Sequence, residues 1–175
     1  RGMSSAASDV YKRQGKDLFD STDVGKKFYN LANDILEVDI QDISFNGPEE
    51  KLKITKYTQP AIFIVSSVIS HLLIENGHVP GCVAGHSLGE YSALTAAGGI
   101  SFETGLELVK IRSNSMDKAG ITNPGTMAAI IGLNMDSVVK LANSIKTNEV
   151  VVAANHNTEN QICLLYTSPS PRDGL

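Results

Sequence analysis

Tryptophan is absent from the chain, cysteine occurs twice, and aromatic residues make up only 6% of it. Cys82 and Cys163 are too few for a disulfide framework, which excludes the small stapled scaffolds and makes a reduced, cytoplasmic setting the expectation. Basic residues do not accumulate: 15 Lys and Arg stand against 19 Asp and Glu, a formal charge of −4. Without a basic run interleaved with aromatics there is no electrostatic footprint for nucleic acid. The longest apolar run, 61–74, is interrupted by Ser66, Ser67, Ser70 and His71, and reads as too short and too polar to span a membrane. The first residues lack the apolar core of a secretory signal. No His/Cys spacing suits a metal site.

What remains is a 42% hydrophobic chain of 175 residues, enough to bury a core. Its ends do not match its middle. Residues 1–14, "RGMSSAASDVYKRQ", carry no periodic signal, and "LLYTSPSPRDGL" places two Ser-Pro pairs where the preceding pattern asks for a strand. Both read as non-native tails, 1–14 and 164–175, on a fragment of a longer reading frame.

Between them the pattern is α/β. Residues 23–36 read as a helix with Phe28, Leu31, Ile35 and Leu36 near helical spacing. Asn46 opens a turn, and Pro48 starts a short helix. "TQPAIFIVSSVISHLLIENGH" is a buried helix with Pro60 in its first turn and Gly77 as its stop. Residues 82–84 read as a short buried strand. Residues 89–97 form a helix closed by Gly98 and Gly99, and Ser101 caps another that runs to about Ala119. After the turn Asn123-Pro124-Gly125, "TMAAIIGL" is a strand, "DSVVKLANSIK" a helix capped by Asp136, and "EVVVAAN" a strand.

The most informative stretch is "CVAGHSLGEYSAL", 82–94. A serine held between Gly85 and Gly89 where a strand turns into a helix suits a nucleophile elbow. A Cβ at the flanking positions would clash, and the turn lifts the Ser87 hydroxyl clear. It also sets the Leu88 backbone N–H where it serves as half of an oxyanion hole, aided by the positive end of the helix. A structural turn is the alternative. Serine needs a base, and the four histidines offer little. His86 lines the pocket rather than acting as base, His71 reads as a core residue, His78 as a surface residue or cap, and His156 follows a strand. The base is therefore expected outside this chain.

"GHSLGEYSAL", "YTQPAI", "VKIRSNSMDKA" and "GTMAAIIGL" together resemble the malonyl-CoA:acyl carrier protein transacylase family, acyltransferases of fatty acid and polyketide synthesis. The resemblance covers 15–163 in family order. It implies a hydrolase-like α/β core, here 15–122, with a ferredoxin-like small subdomain whose first part is 123–163. It implies that Ser87 carries the acyl group and that Arg112 grips the free carboxylate of malonyl. A guanidinium suits that role, since it pairs with a carboxylate through two parallel hydrogen bonds and stays charged. Gln59, Met116 and Asn155 match family residues near the substrate. Gln59 has helix capping as its plainer role, and Met116 core packing.

Three parts of the family pattern are missing: a Gly-Gln-Gly-Ser-Gln loop with the second oxyanion N–H, the histidine base, and the segment that separates malonyl from methylmalonyl. The implied enzyme, an [acyl-carrier-protein] S-malonyltransferase, uses malonyl-CoA and holo-acyl carrier protein, needs no metal or redox cofactor, and is monomeric. The chain as written is expected to transfer negligibly and to expose sheet edges that invite aggregation. Alternatives are a polyketide synthase acyltransferase domain, an esterase on the same elbow, and a binding module without chemistry.

Overall fold

The computed structural model describes residues 13–145 and 150–167. They divide into two compact units, with the division between Asp117 and Lys118 rather than at Asn123. The 1–14 tail falls mostly outside the described residues, as does 168–175.

The first unit is helical: α1 (Lys16–Ser21), α2 (Asp23–Leu36), α3 (Ile40–Asn46), α4 (Glu49–Leu52), α5 (Thr55–Glu75), α6 (Gly89–Ala96) and most of α7 (Phe102–Thr122). Local chemistry sets most of the ends. Thr22 caps α2 by accepting from the Gly25 N–H at 2.9 Å. Ser101 caps α7 through the Thr104 N–H at 3.1 Å. Gly77, at φ 86°, closes α5 with paired bonds from the Gly77 N–H to Ile74 O and from the His78 N–H to Leu73 O. Gly98, at φ 72°, repeats the motif for α6, with Gly98 donating to Thr95 O and Gly99 to Leu94 O.

The core of this unit is aromatic. Phe102 stacks on Phe28, ring centroids 4.3 Å apart, and on Phe63 at 5.6 Å. Tyr29, Ile40, Ile64, Val68, Leu106 and Val109 are fully buried around them. The short helices α1 and α3 were not expected from the sequence. Helix α3 forms because Ile40, Ile43 and Phe45 all find cover, and Asp39 caps it by accepting from the Asp42 N–H at 2.8 Å.

Several sequence expectations need correction. Helix α5 starts before the "TQP" motif, so Pro60 lies in its second turn, not its first. Proline there removes one hydrogen bond near the helix start, where the cost is smallest. Helix α5 is also long and apolar enough, by length and a mean hydropathy of 1.4, to cross a membrane, contrary to the reading of 61–74. Half of that window is buried inside the protein, where Phe63, Ile64 and Val68 join the aromatic core. His71 is not a core residue. It is exposed on α5, 3.1 Å from Glu75. Residues 82–84 join no sheet and are exposed, not a buried strand. A strand needs a neighbour for its backbone groups, and none is present among the described residues. Helix α7 runs past Ala119 to Thr122.

The second unit holds a three-stranded antiparallel sheet in the order β1-β3-β2: β1 (Gly125–Ile131), β2 (Val150–Thr158) and β3 (Gln161–Thr167), with α8 (Met135–Ser144) between β1 and β2. This β-α-β-β order with β3 central is the arrangement of the first part of a ferredoxin-like unit. Val138 and Ala142 of α8 and Ile162 of β3 are its buried residues. The cap of α8 is Asn134, which accepts from the Ser137 N–H at 3.0 Å, and not Asp136. Residues 164–167, placed in a tail by the sequence, form the second half of the central strand, with Leu164 opposite both Ala128 and Ala153.

Candidate active site

Ser87 sits at φ 56°, a left-handed conformation that a non-glycine residue rarely adopts. Such strain persists only where the surroundings impose it. Here the chain reverses so tightly that the Gly89 N–H donates to His86 O at 2.9 Å and the Glu90 N–H to Ser87 O at 3.3 Å. A Cβ on Gly85 would lie 2.0 Å from the Gly89 carbonyl carbon and 2.3 Å from the Glu90 nitrogen, so glycine is obligatory there. A Cβ on Gly89 meets nothing within 4 Å. The expectation that both flanking glycines are sterically required is therefore corrected to one. Gly85 yields to the backbone of the incoming helix, whereas Gly89 already belongs to that helix and points away from the turn.

Leu88 follows as the residue that starts α6, with its side chain 8% exposed in the core. Burial of Leu88 anchors the elbow, and its N–H has no hydrogen-bond partner among the described residues. The free donor and the N-terminal end of α6 both lie beside the hydroxyl, as stabilisation of a developing oxyanion requires.

Helix α7 brings the positive charge. Its buried side, Phe102, Leu106, Val109 and Ser113, packs into the core. Arg112 and Met116, four residues apart, share one face. The Arg112 Nη2 donates to Ser87 Oγ at 2.8 Å, and its Nη1 donates to Gln59 Oε1 on α5. Gln59 is 7% exposed, and its Nε2 donates to Met116 Sδ at 3.2 Å. The structure thus brings together Ser87, Leu88, Arg112, Gln59 and Met116. The continuous link through both ends of the Gln59 amide was not legible from spacing.

Of the other residues named from the sequence, His86 makes none of these bonds and Asn155 belongs to the second unit. His86 is exposed and makes no side-chain hydrogen bond among the described residues. Asn155 lies on β2 of the second unit, exposed and opposite Cys163 at a register shift. Met116 is half exposed rather than a core residue. Among the described residues no imidazole is bonded to Ser87, and no three His, Cys, Asp or Glu side chains gather. A cleft of about 430 Å³ lined by Lys56, Tyr57 and Lys110 does not include Ser87 or Arg112. Lys110 is engaged there in holding Ile35 O, 2.7 Å away, at the end of α2.

Ser87 is thus a strained serine at the turn into α6, with a free N–H beside it and a guanidinium on its oxygen, the arrangement a serine nucleophile needs. Residues 15–170 match the acyl transferase domain family, and the chain belongs to that family. It is 39% identical over 153 residues to the malonyl CoA-acyl carrier protein transacylase of Synechocystis sp., covering 87% of this chain and 50% of that protein. It is 34% identical over 155 residues to the protein of the same name from Bacillus subtilis strain 168, covering 88% of this chain and 49% of the relative. It is similar in structure, with a TM-score of 0.83 and 33% identity, to a malonyl-transacylase solved in complex with a type II PKS acyl-carrier protein, over 90% of this chain and 52% of that one. The chain spans about half the length of the relatives it matches.

Proposed function

We propose that this chain is the nucleophile-bearing half of an acyltransferase that moves malonyl from coenzyme A to the phosphopantetheine thiol of acyl carrier protein in fatty acid synthesis. The observation that carries the reading is the 2.8 Å bond from Arg112 to Ser87 Oγ. An acyl group on that oxygen has its carbonyl carbon one bond away, and a malonyl carboxylate lies two bonds further. Arg112 is within reach of a carboxylate on so short an acyl chain. An acetyl group would leave the half-buried guanidinium without an anion, which costs affinity.

In the transfer, Ser87 Oγ attacks the thioester carbonyl while a base takes its proton. A histidine outside the matched half is the proposed base. The oxyanion forms against the Leu88 N–H. The tetrahedral centre collapses with expulsion of the coenzyme A thiolate, leaving a seryl ester with its carboxylate on Arg112. The carrier thiol then attacks the ester, and Ser87 recovers its proton. These steps use no metal or redox cofactor. The two free cysteines, Cys82 and Cys163, accord with a cytoplasmic setting, and a monomer suffices for the chemistry. The relatives' names and the solved complex support malonyl-CoA and acyl carrier protein as the partners.

The test is mass spectrometry of the Ser87 peptide after incubation with malonyl-CoA or acetyl-CoA, in the 175-residue chain and in the protein translated from its uninterrupted source gene. The chain by itself should acylate negligibly. The gene product should carry malonyl in preference to acetyl, and Arg112→Ala should erase the preference. Hydrolysis of neutral esters that is indifferent to Arg112→Ala would establish an esterase instead.

A further inference from the structure

We propose that Gln59 is a positioning residue that fixes the orientation of Arg112, and that this orientation sets the preference for acyl groups ending in a carboxylate. The inference rests on the role of Arg112 proposed above and adds what makes that role selective. Gln59 is nearly buried, so both ends of its amide need partners. The carbonyl end accepts from Arg112 Nη1, and the amino end donates to Met116 Sδ at 3.2 Å. Arginine only donates. A flipped amide would set donor against donor at Arg112, so the two partners together allow one orientation.

The platform under Gln59 is stiff. Thr58, Pro60 and Ala61 are buried beside it, and the Thr58 hydroxyl donates to Ile54 O at 3.1 Å. The plainer reading of Gln59 as a helix cap does not hold, because the residue that caps α5 is Ile54, with no side-chain cap bond. Arg112, in contrast, sits on a long side chain with high rotamer entropy. Two bonds hold its guanidinium: one to Gln59, one to Ser87. An incoming carboxylate competes with Ser87 Oγ for the Nη2 side. Once it does, Gln59 is the remaining anchor that keeps the guanidinium plane facing the acyl group. A neutral acyl group makes no use of that plane and is indifferent to Gln59.

The experiment follows the Arg112 guanidinium by nitrogen NMR in the 175-residue chain, with and without a malonyl or acetyl thioester. In the ligand-free wild type, the two Nη groups should give separate signals, because rotation about Nε–Cζ is blocked. In Gln59→Ala they should merge, and malonyl thioester affinity should fall about tenfold or more while acetyl affinity stays unchanged. Met116→Leu keeps the volume, removes the acceptor for Nε2, and should give a partial effect in the same direction. Unchanged Arg112 signals in folded Gln59→Ala overturn the proposal. If circular dichroism shows Gln59→Ala unfolded and Met116→Leu behaves as wild type, Gln59 is a packing residue and the proposal also fails. A wild type that does not distinguish malonyl from acetyl overturns the substrate reading instead, and the guanidinium signals still decide the role of Gln59.

Discussion

Gly85 and Gly89 meet across the elbow, but only Gly85 is confined: a Cβ on it would lie 2.0 Å from the Gly89 carbonyl carbon, whereas one on Gly89 meets nothing within 4 Å. The two glycines of the motif therefore carry different constraints. Gly85→Ala should cost about 3 kcal/mol or more, because a backbone atom cannot move aside as a side-chain tip can. Gly89→Ala, in the first turn of α6, should be neutral or stabilise by up to about 1 kcal/mol through lower unfolded-state entropy. Urea midpoints of the two variants, with m-values unchanged, check the asymmetry.

Ser87 holds a φ of 56°. Left-handed backbone costs about 1 kcal/mol or more for a residue with a Cβ. Ser87→Gly should accordingly be more stable than Ser87→Ala by about 0.5 to 1 kcal/mol, although both lack the hydroxyl. Equal midpoints for the two variants would show that the turn is not strained.

Tyr29 is fully buried, its hydroxyl has no partner among the described residues, and burial pushes its ionisation well above the ordinary phenol range, with Asp17 adding to the shift. The folded state therefore keeps a proton that the unfolded state releases. Stability from this group is complete below about pH 10 and is lost as pH rises beyond it, by up to about 1.4 kcal/mol per pH unit. Tyr29→Phe should abolish that slope. It should also be neutral or stabilising at pH 7, since it removes an unpaired buried hydroxyl without changing the ring contacts with Phe19 and Phe45. Unfolding curves at several alkaline pH values measure both effects.

In the sheet unit, the cap of α8 distinguishes two neighbouring polar residues. Asn134→Ala should cost about 1 kcal/mol, because it removes the acceptor for the Ser137 N–H. Asp136→Ala, which loses only a favourable charge near the helix start, should cost a few tenths of a kcal/mol. The reverse order in thermal melts would restore Asp136 as the cap.

Phe102 is 7% exposed between Phe28 and Phe63, and Phe102→Ala should cost about 3 to 5 kcal/mol through lost burial and the cavity left behind. A smaller loss in a denaturant titration would mean that α7 collapses onto α5.

The parts of the fold legible in the sequence are those decided within a few residues. Gly77 and Gly98 stop their helices through bonds that span one turn. Ser101 caps α7 by the same short reach. At α8, Asn134 and Asp136 both have the chemistry of a cap, and the extended backbone at Asn134, with its bond from the Ser137 N–H, decides between them. The exposure of His71 is not legible because α5 is apolar nearly all round, so periodicity does not say which side faces water. The 82–84 segment is apolar enough for a strand, but strand pairing depends on residues far away in sequence.

The same division runs through the candidate site. The amino-acid sequence alone determined the elbow, since Gly85, Ser87 and the start of α6 constrain one another locally. It also set Arg112 and Met116 on one helix face by their four-residue spacing. Only the tertiary structure decided that α5 and α7 pack so that Gln59 reaches both of them and Arg112 reaches Ser87. The physical reason is that helix faces meet through burial, which is non-directional and depends on the whole core. The directional bonds of Gln59 require the two helices side by side, where Phe63, Phe102 and Leu106 share one buried cluster.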